Sequence, residues 1–291
     1  MKQILFLLLF LFSGFGFPVE AQGLRTKFES IDTAKFKCTY QFKFLKDSIK
    51  TEYIDNGPYI ILIGEDFAES YFYKTFYLDS AWSTPEGGGK LYLPMTEFVR
   101  TVSNPKNPTK EEIEMLKKLT PTKGSFPFYV FKNYKEGKIS VTDIISSYNF
   151  HYDDELKPQE WTILEDTMTV LDYPCQKAIC NWRGRDWEAW FAPDIPIDEG
   201  PWKFYGLPGL IMKLDDTELH YSFNMIGLQQ ESEPMYMFVK PDARKINRLS
   251  FLKLKMNRTG TDLVAMDLAK VGIGNSESIE FHYDYIERDY K

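Results

Sequence analysis

Apolar and polar residues alternate along several stretches of the chain, which is the pattern of β-strands buried on one face only. The clearest stretch is KFKCTYQFKF, where every second residue from Phe36 to Phe44 is apolar and the residues between them are polar. Further strands are predicted for the stretches YIILIG, ESYFYK, FPFYVFKNY, KISVTD, IMKL, LHYSFNMIG and ESIEFHYDYIE. The pattern therefore predicts a mainly β protein with antiparallel strands.

Two stretches have the pattern of helices instead. TKEEIEMLKKL begins with a capping box of Thr109 and Glu112, and PDARKINRLSFLKLKM predicts a basic helix capped near Asp242. No internal repeat or Ser/Pro-rich linker divides the chain, so residues 22–291 are predicted to form a single β-rich domain. Its predicted fold is mainly β with a few helices, a single curved antiparallel sheet or half-barrel.

The stretch CQKAICNWRGRDWEAWFAP predicts a hairpin in which Trp182 pairs with Trp187. This register places one set of side chains on the buried face: Ala178, Cys180, Trp182, Trp187, Ala189 and Phe191. The opposite face receives Lys177, Ile179, Asn181, Glu188 and Trp190. A solvated tip over residues 183–186 is predicted, from which Arg183 and Arg185 could also bind an anionic group.

The ribbon GPWKFYGLPGLIMKL raises the question of a phosphate-binding loop, but neither GxxxxGK[ST] nor GxGxxG is present. We predict a structural corner instead, with Pro208 and Gly209 forming a type II turn. The motif residues assigned to this corner are Gly200, Pro201, Gly206, Leu207, Pro208 and Gly209. Trp202 in the ribbon and Trp190 in the hairpin are candidate binding aromatics.

The N-terminal residues 1–21 have the pattern of a signal peptide. Lys2 precedes an unbroken apolar run from Ile4 to Phe12, and Val19-Glu20-Ala21 offers small residues for cleavage before Gln22. Because no cysteine precedes Cys38, there is no lipobox. We therefore predict a periplasmic or secreted protein with no transmembrane segment in its mature chain.

Charge and cysteine content narrow the function further. The net charge of −7 argues against nucleic-acid binding, which favours a basic surface. Cys175 and Cys180 are too far apart on one extended strand to form a disulfide, so Cys38–Cys180 is the favoured pair if a disulfide forms at all. No Cys/His spacing indicates zinc.

The central motifs resemble those of the GLPGLI family of exported Bacteroidetes-type proteins. The matching stretches are YPCQKA, RGR, AWFAPDIPI and GPWKFYGLPGLI, with a fainter likeness in VFKNYKEGKISVTD. The resemblance implies an exported protein of Gram-negative bacteria, often encoded near TonB-dependent outer-membrane receptors, and it supplies no catalytic residues. The sheet pattern also resembles the curved half-barrels of periplasmic lipoprotein carriers.

Three classes of function follow from these patterns. The favoured class is a binding or accessory protein whose partner is a TonB-dependent receptor or an apolar or peptide ligand; it has no predicted cofactor. A hydrolase is the alternative. The chain contains His151, His220 and His282, but neither of the hydrolase motifs GxSxG and HExxH. The acidic stretch HYDDE at residues 151–155 is predicted to be a solvated loop. The second alternative is copper handling by Met225, Met235, Met237 and the three thiols. No catalytic residue or metal ligand is assigned.

Overall fold

A computed structural model of the chain describes residues 29–47, 52–73, 75–76, 79, 128–145, 148–237, 239, 243–256 and 285–290. Three predicted elements lie outside these ranges: the signal peptide at residues 1–21, the helix at 109–119 and residues 277–284 of the last predicted strand.

The described residues are mostly β-strand. The strands are Asp32–Thr33 (β1), Phe36–Asp47 (β2), Glu52–Ile63 (β3), Phe67–Phe72 (β4), Tyr129–Asn133 (β5), Lys138–Ile145 (β6), Tyr148–Glu155 (β7), Thr162–Val170 (β8), Tyr173–Trp182 (β9), Arg185–Ala192 (β10), Leu210–Asp216 (β11), Tyr221–Gln230 (β12), Pro234–Met235 (β13) and Arg244–Lys245 (β14). Arg248–Met256 forms a helix, α1, within the predicted basic segment. It is capped by Asn247, whose side chain accepts from the Leu249 N–H at 3.0 Å, and therefore begins later than predicted.

One large sheet contains twelve of these strands, in the order β14-β7-β6-β5-β4-β3-β2-β12-β11-β10-β9-β8. Neighbouring strands are antiparallel, except that β14 runs parallel to β7. β1 and β13 form a separate two-stranded sheet. The prediction of a mainly β protein built on one large, mostly antiparallel sheet is confirmed.

The inner face of the sheet is packed with aromatic side chains. The alternate residues of β2 from Cys38 to Phe44 are at most 1% exposed, as their pattern predicts. Phe42 lies 4.5 Å from the ring of Phe223 and 5.2 Å from that of Phe72. Offset and edge contacts of this kind stabilise aromatic cores. Side chains thus fill this part of the inner face.

The hairpin of β9 and β10 differs from its predicted register by two residues. Trp182 pairs with Arg185, and Trp187 pairs with Cys180. Arg183 and Gly184 have φ values of 54° and 75°, which makes the connection a two-residue turn with both residues left-handed. Because the shift is even, the assignment of residues to faces is unaffected: Trp187 is buried and Ile179 is 38% exposed.

The three cysteines are buried, free thiols. The favoured Cys38–Cys180 disulfide is therefore not formed. Cys38 lies on β2 and Cys180 on β9, and these two strands are not neighbours in the sheet, so the two thiols do not lie opposite each other in paired strands.

Candidate functional site

The ribbon that connects β10 to β11 is a tight corner, but its turn differs from the predicted type II turn. Gly209 has φ +158°, its N–H donates to the Leu207 carbonyl at 2.8 Å, and the Leu210 N–H donates to Ile195 at 3.1 Å. A β-carbon at Gly209 would lie 2.2 Å from the Ala192 carbonyl oxygen. The glycine is therefore required by the close approach of two backbone segments.

Other ribbon residues also have structural positions. Gly206 has φ +90°, and a β-carbon there would lie 2.5 Å from the side chain of Pro158. Trp202, a candidate binding aromatic, is only 3% exposed and its ring lies 4.4 Å from that of Phe128. Leu207 is buried as well. The ribbon thus contributes core packing, and Trp202 does not lie on an exposed surface.

The ribbon encloses a buried lysine from β5. Lys132 donates to the Glu199 carboxylate, to the Gly200 carbonyl at 3.2 Å and to the Phe204 carbonyl at 2.9 Å. The Tyr134 hydroxyl donates to the same carboxylate. Burial lowers the pKa of Lys132 and is opposed by Glu199. The ribbon carbonyls therefore replace water around this ammonium group.

Sequence reasoning missed Lys132, although one signal was present. Lys132 alternates with Val130 of β5 and with Phe128, the residue just before that strand, and both of these residues belong to the inner core. A lysine in register with buried residues requires a partner, since an unpaired buried charge is costly. The partner, Glu199, is 67 residues away and could not be identified from spacing.

Arg185 is buried, in contrast to the predicted solvated tip. It belongs to β10 and is 2% exposed. Its guanidinium donates to Asp216 at 2.8 Å and to the Tyr285 carbonyl at 3.0 and 2.7 Å. Burial raises the pKa of Asp216, and the charge of Arg185 opposes that rise. The two-residue turn is the reason for the error, because it leaves Arg185 inside a strand.

Arg183 belongs to a group of charged side chains that we name the ion cluster: Asp154, Arg183, Lys203, Arg248, Glu287 and Asp289. Arg183 donates to both carboxylate oxygens of Asp154 at 3.0 Å, and Lys203 donates to Asp154 at the same distance. Burial alone would raise the pKa of Asp154, but Lys203 and Arg183 more than offset it and hold the pKa below its usual value. HYDDE is therefore part of a strand, β7, and its prediction as a solvated loop is wrong.

The remaining acidic members of the ion cluster come from residues 285–290, which we name the C-terminal segment. Glu287 is fully buried and lies 2.6 Å from Lys203 and 2.5 Å from Arg248. Asp289 accepts from Arg248 at 2.5 Å and from Arg183 at 3.2 Å. The Arg288 N–H donates to the Arg183 carbonyl at 2.7 Å. Arg183 thus binds a carboxylate of the C-terminal segment, and Arg185 binds one of its backbone carbonyls.

Trp190 is not part of this arrangement. It lies on the opposite face of β10, where its indole N–H donates to Glu188 at 3.0 Å and the Lys177 ammonium lies 5.5 Å from its ring. Lys177 also pairs with Glu188 at 2.6 Å. The structure therefore brings together Arg183, Arg185 and the ribbon, and it leaves Trp190 on a separate, half-exposed surface.

Within the described residues, one group of side chains has the spacing of a metal site: Asp216, Glu218 and His220, with ligand atoms within 4.8 Å of one another. Both carboxylates already pair with guanidinium groups, Asp216 with Arg185 and Glu218 with Arg288. These cations would repel a metal ion, so the group does not fit a metal centre.

The soft ligands named above do not converge either. Met225 belongs to the inner core, whereas Met235 packs in a second cluster on the other face with Ile60 and Leu62. Burial raises the pKa of the Cys180 thiol to about 12, which disfavours the thiolate that binds metals or attacks substrates. Neither a copper site nor a cysteine nucleophile is supported by this arrangement.

The β8–β9 hairpin includes the exposed edge strand β8, and sequence reasoning did not identify it as a site. Most residues of β8 are exposed. At the turn, Leu171 and Asp172 have φ values of 47° and 67°, and Leu171 is 41% exposed beside Tyr173 at 37%. A leucine with positive φ is uncommon, and such strained positions are often functional. The tip is therefore a candidate contact surface.

Comparisons with known proteins add little beyond a family resemblance. Residues 184–213 match the family model described as "Protein of unknown function (Porph_ging)". This stretch begins at the turn of the β9–β10 hairpin and includes β10, the ribbon and the first residues of β11. No curated protein sequence matches the chain.

Two solved structures are similar to the chain, those of PNGF-II in the P21 and C2 space groups. Each has 12% sequence identity and a TM-score of 0.45, and the match covers 77% of this chain and 33% of the other. The chain thus spans about a third of the length of those proteins. Within the described residues, no helix has the length and apolar character needed to span a membrane.

Proposed function

We propose that this protein is an exported, non-enzymatic binding or accessory protein of the Gram-negative cell envelope, similar to the GLPGLI family and acting with a TonB-dependent outer-membrane receptor. It contacts the receptor through the tip of the β8–β9 hairpin. The observation that carries this proposal is the exposure of Leu171 and Tyr173 at a turn with two left-handed residues. Exposed apolar side chains that lie close together can mark a surface that binds another protein.

The packing of the inner face favours an exposed contact surface over an enclosed ligand. Tyr59, Phe42 and Phe223 fill the centre of the described face with aromatic rings. Two cavities among the described residues have volumes of about 10 and 50 Å³. Binding pockets for drug-sized ligands are about 300–1,000 Å³, so these cavities suit a few water molecules.

The hydrolase alternative receives less support from the charged groups. His151 lies 3.3 Å from Asp153 on β7, and His220 lies 3.5 Å from Glu218. The buried ions Lys132, Glu199 and Arg185 are each at most 2% exposed, which denies a substrate access to them. Catalytic groups have to come within hydrogen-bonding distance of a substrate, so these ion pairs are better explained as structural.

The proposal is tested with a double variant, Leu171→Ser and Tyr173→Ser, in the mature protein. We expect the melting temperature to stay within about 2 °C of the parent, because exposed substitutions change stability little. Capture of a TonB-dependent receptor from detergent-solubilised envelope, identified by mass spectrometry, is expected to fall at least about tenfold, the effect of about 1.4 kcal/mol.

Leu219→Ser is the matched control. Leu219 is 56% exposed and also has positive φ, at 58°, but it lies in the turn between β11 and β12. Retained capture by this control, together with loss in the hairpin variant, supports the proposal. Equal capture by the parent and the hairpin variant would refute it.

A further inference from the structure

The C-terminal segment is held by its charged side chains, by two backbone groups and by three buried apolar side chains. Tyr285 and Arg288 contribute the backbone contacts, a carbonyl to Arg185 and an N–H to Arg183. Glu287 and Asp289 contribute two carboxylates to the ion cluster. The segment forms no strand of the sheet. Its chain bends at Ile286 and turns at Asp289 and Tyr290, so it is bound as a short docked peptide and not as a paired strand.

The surface that receives the segment is complementary to it in charge. Four cations meet there: Arg183, Arg185, Lys203 and Arg248. The body of the domain supplies three carboxylates, those of Asp154, Asp216 and Glu218, and Glu218 lies 3.6 Å from Arg185. The segment adds the carboxylates of Glu287 and Asp289 and the guanidinium of Arg288, which also pairs with Glu218. The four cations of the body thus exceed its three carboxylates by one, and the segment carries one net negative charge. We name this surface the cationic cleft.

Apolar contacts flank the charged centre of the segment. Tyr285, Ile286 and Tyr290 are each less than 10% exposed and belong to the inner core cluster. The rings of Tyr285 and Tyr290 are 6.4 Å apart in an edge-to-face arrangement. The cleft thus binds aromatic and aliphatic side chains on both sides of two acidic residues. One residue separates the two acidic residues, as in the sequence Tyr-Ile-Glu-Arg-Asp-Tyr.

We propose that the cationic cleft is a peptide-recognition site that also accepts the C-terminal segment of a second copy of this chain. Residues 257–284 connect α1 to the segment, and a chain of that length can reach at most about 90 Å. This reach allows the segment of one copy to lie in the cleft of another, with all contacts preserved. Exchange of an identical element between copies forms dimers at little energetic cost.

The test uses two full-length variants that are defective in complementary parts. The first, Glu287→Ala with Asp289→Ala, keeps the cleft and weakens its own segment. The second, Arg248→Ala, keeps the segment and weakens its own cleft. Hydrogen exchange at the Arg288 amide is expected to be at least tenfold faster in both variants than in the parent, and near-ultraviolet circular dichroism verifies that each remains folded.

Sedimentation velocity then measures assembly. Each variant alone is expected to be monomeric, and their equimolar mixture is expected to form a one-to-one dimer through the intact cleft and the intact segment. A mixture that stays monomeric although both segments exchange rapidly would overturn the proposal, as would unchanged Arg288 exchange in the variants.

A milder variant and a matched control keep the test decisive. If the double variant does not fold, Tyr290→Ala replaces it, because this change removes an anchor and leaves the charges intact. Lys245→Ala, at an exposed lysine on β14, replaces Arg248→Ala in the control mixture. This control mixture is expected to remain monomeric, since the segment of the Lys245 variant occupies its own cleft; dimer formation with it would contradict the assignment of the cleft. The inference does not depend on the receptor contact proposed above.

Discussion

Replacing Gly209 with alanine is expected to destabilise the protein by about 3 kcal/mol or more, at or beyond the upper end of the range for overpacked interiors. The added β-carbon would lie 2.2 Å from the Ala192 carbonyl oxygen and 3.0 Å from the Pro193 Cα, and both of these are backbone atoms. A backbone segment cannot rotate away as a side chain can, so the ribbon itself has to move. Chemical denaturation of the purified variant measures the loss.

Gly137→Ala is the control for this prediction. Gly137 also has positive φ, at +62°, but a β-carbon there would have no neighbour within 4 Å. Its replacement should therefore cost only the penalty of left-handed backbone, about 1–2 kcal/mol. Equal losses at the two positions would show that the ribbon does not closely approach residues 192–193.

Replacing Arg185 with alanine is expected to cost about 3–5 kcal/mol, because removing one partner of a buried ion pair leaves the other charge without compensation. Asp216 would lose its 2.8 Å contact, and the Tyr285 carbonyl would lose two donors. Thermal and urea unfolding measure this effect. It should appear as lost stability with an unchanged slope against urea, since the same surface is exposed on unfolding.

Arg244→Ala serves as the comparison. Arg244 is an exposed residue of β14 whose guanidinium lies 4.3 Å from the ring centre of Tyr148. Its replacement is expected to change stability by at most about 1 kcal/mol, the range of an exposed cation–π contact. Similar losses for Arg185 and Arg244 would mean that Arg185 lies in water, as the sequence alone suggested.

Local patterns were sufficient for much of the fold. The alternation around Cys38 and Phe42 identified the buried face of β2, because a strand whose other face is wet has a period of two. The face assignment in the β9–β10 hairpin also held. Its register did not, because an Arg-Gly pair rarely signals a two-residue turn with both residues left-handed, and the Arg-Gly-Arg-Asp sequence suggested a longer loop.

The candidate site could be predicted only in part. The sequence predicts that the ribbon forms a corner and that Arg183 can bind an anionic group. The partners were not identifiable, because Asp154 is 29 residues from Arg183 and Asp289 is 106 residues from it. The order of strands does not by itself bring these pairs together, because β7 and β10 lie near opposite ends of the sheet and Asp289 belongs to no strand. They become neighbours only in the complete fold. An acidic stretch such as HYDDE has the composition of a solvated loop. The ion pair between its residue Asp154 and Arg183 can be identified only from the folded structure.

The arginines around the ribbon bind the C-terminal segment, and a double-mutant cycle between Arg248 and Glu287 measures this interaction. The side chains are 11% and 0% exposed, and their charged atoms lie 2.5 Å apart. Unfolding free energies are measured for the parent, Arg248→Met, Glu287→Gln and the double variant. We expect a coupling energy of about 1.5–3 kcal/mol, within the range for residues in contact. Additive effects, with a coupling below about 0.5 kcal/mol as for distant independent sites, would contradict it.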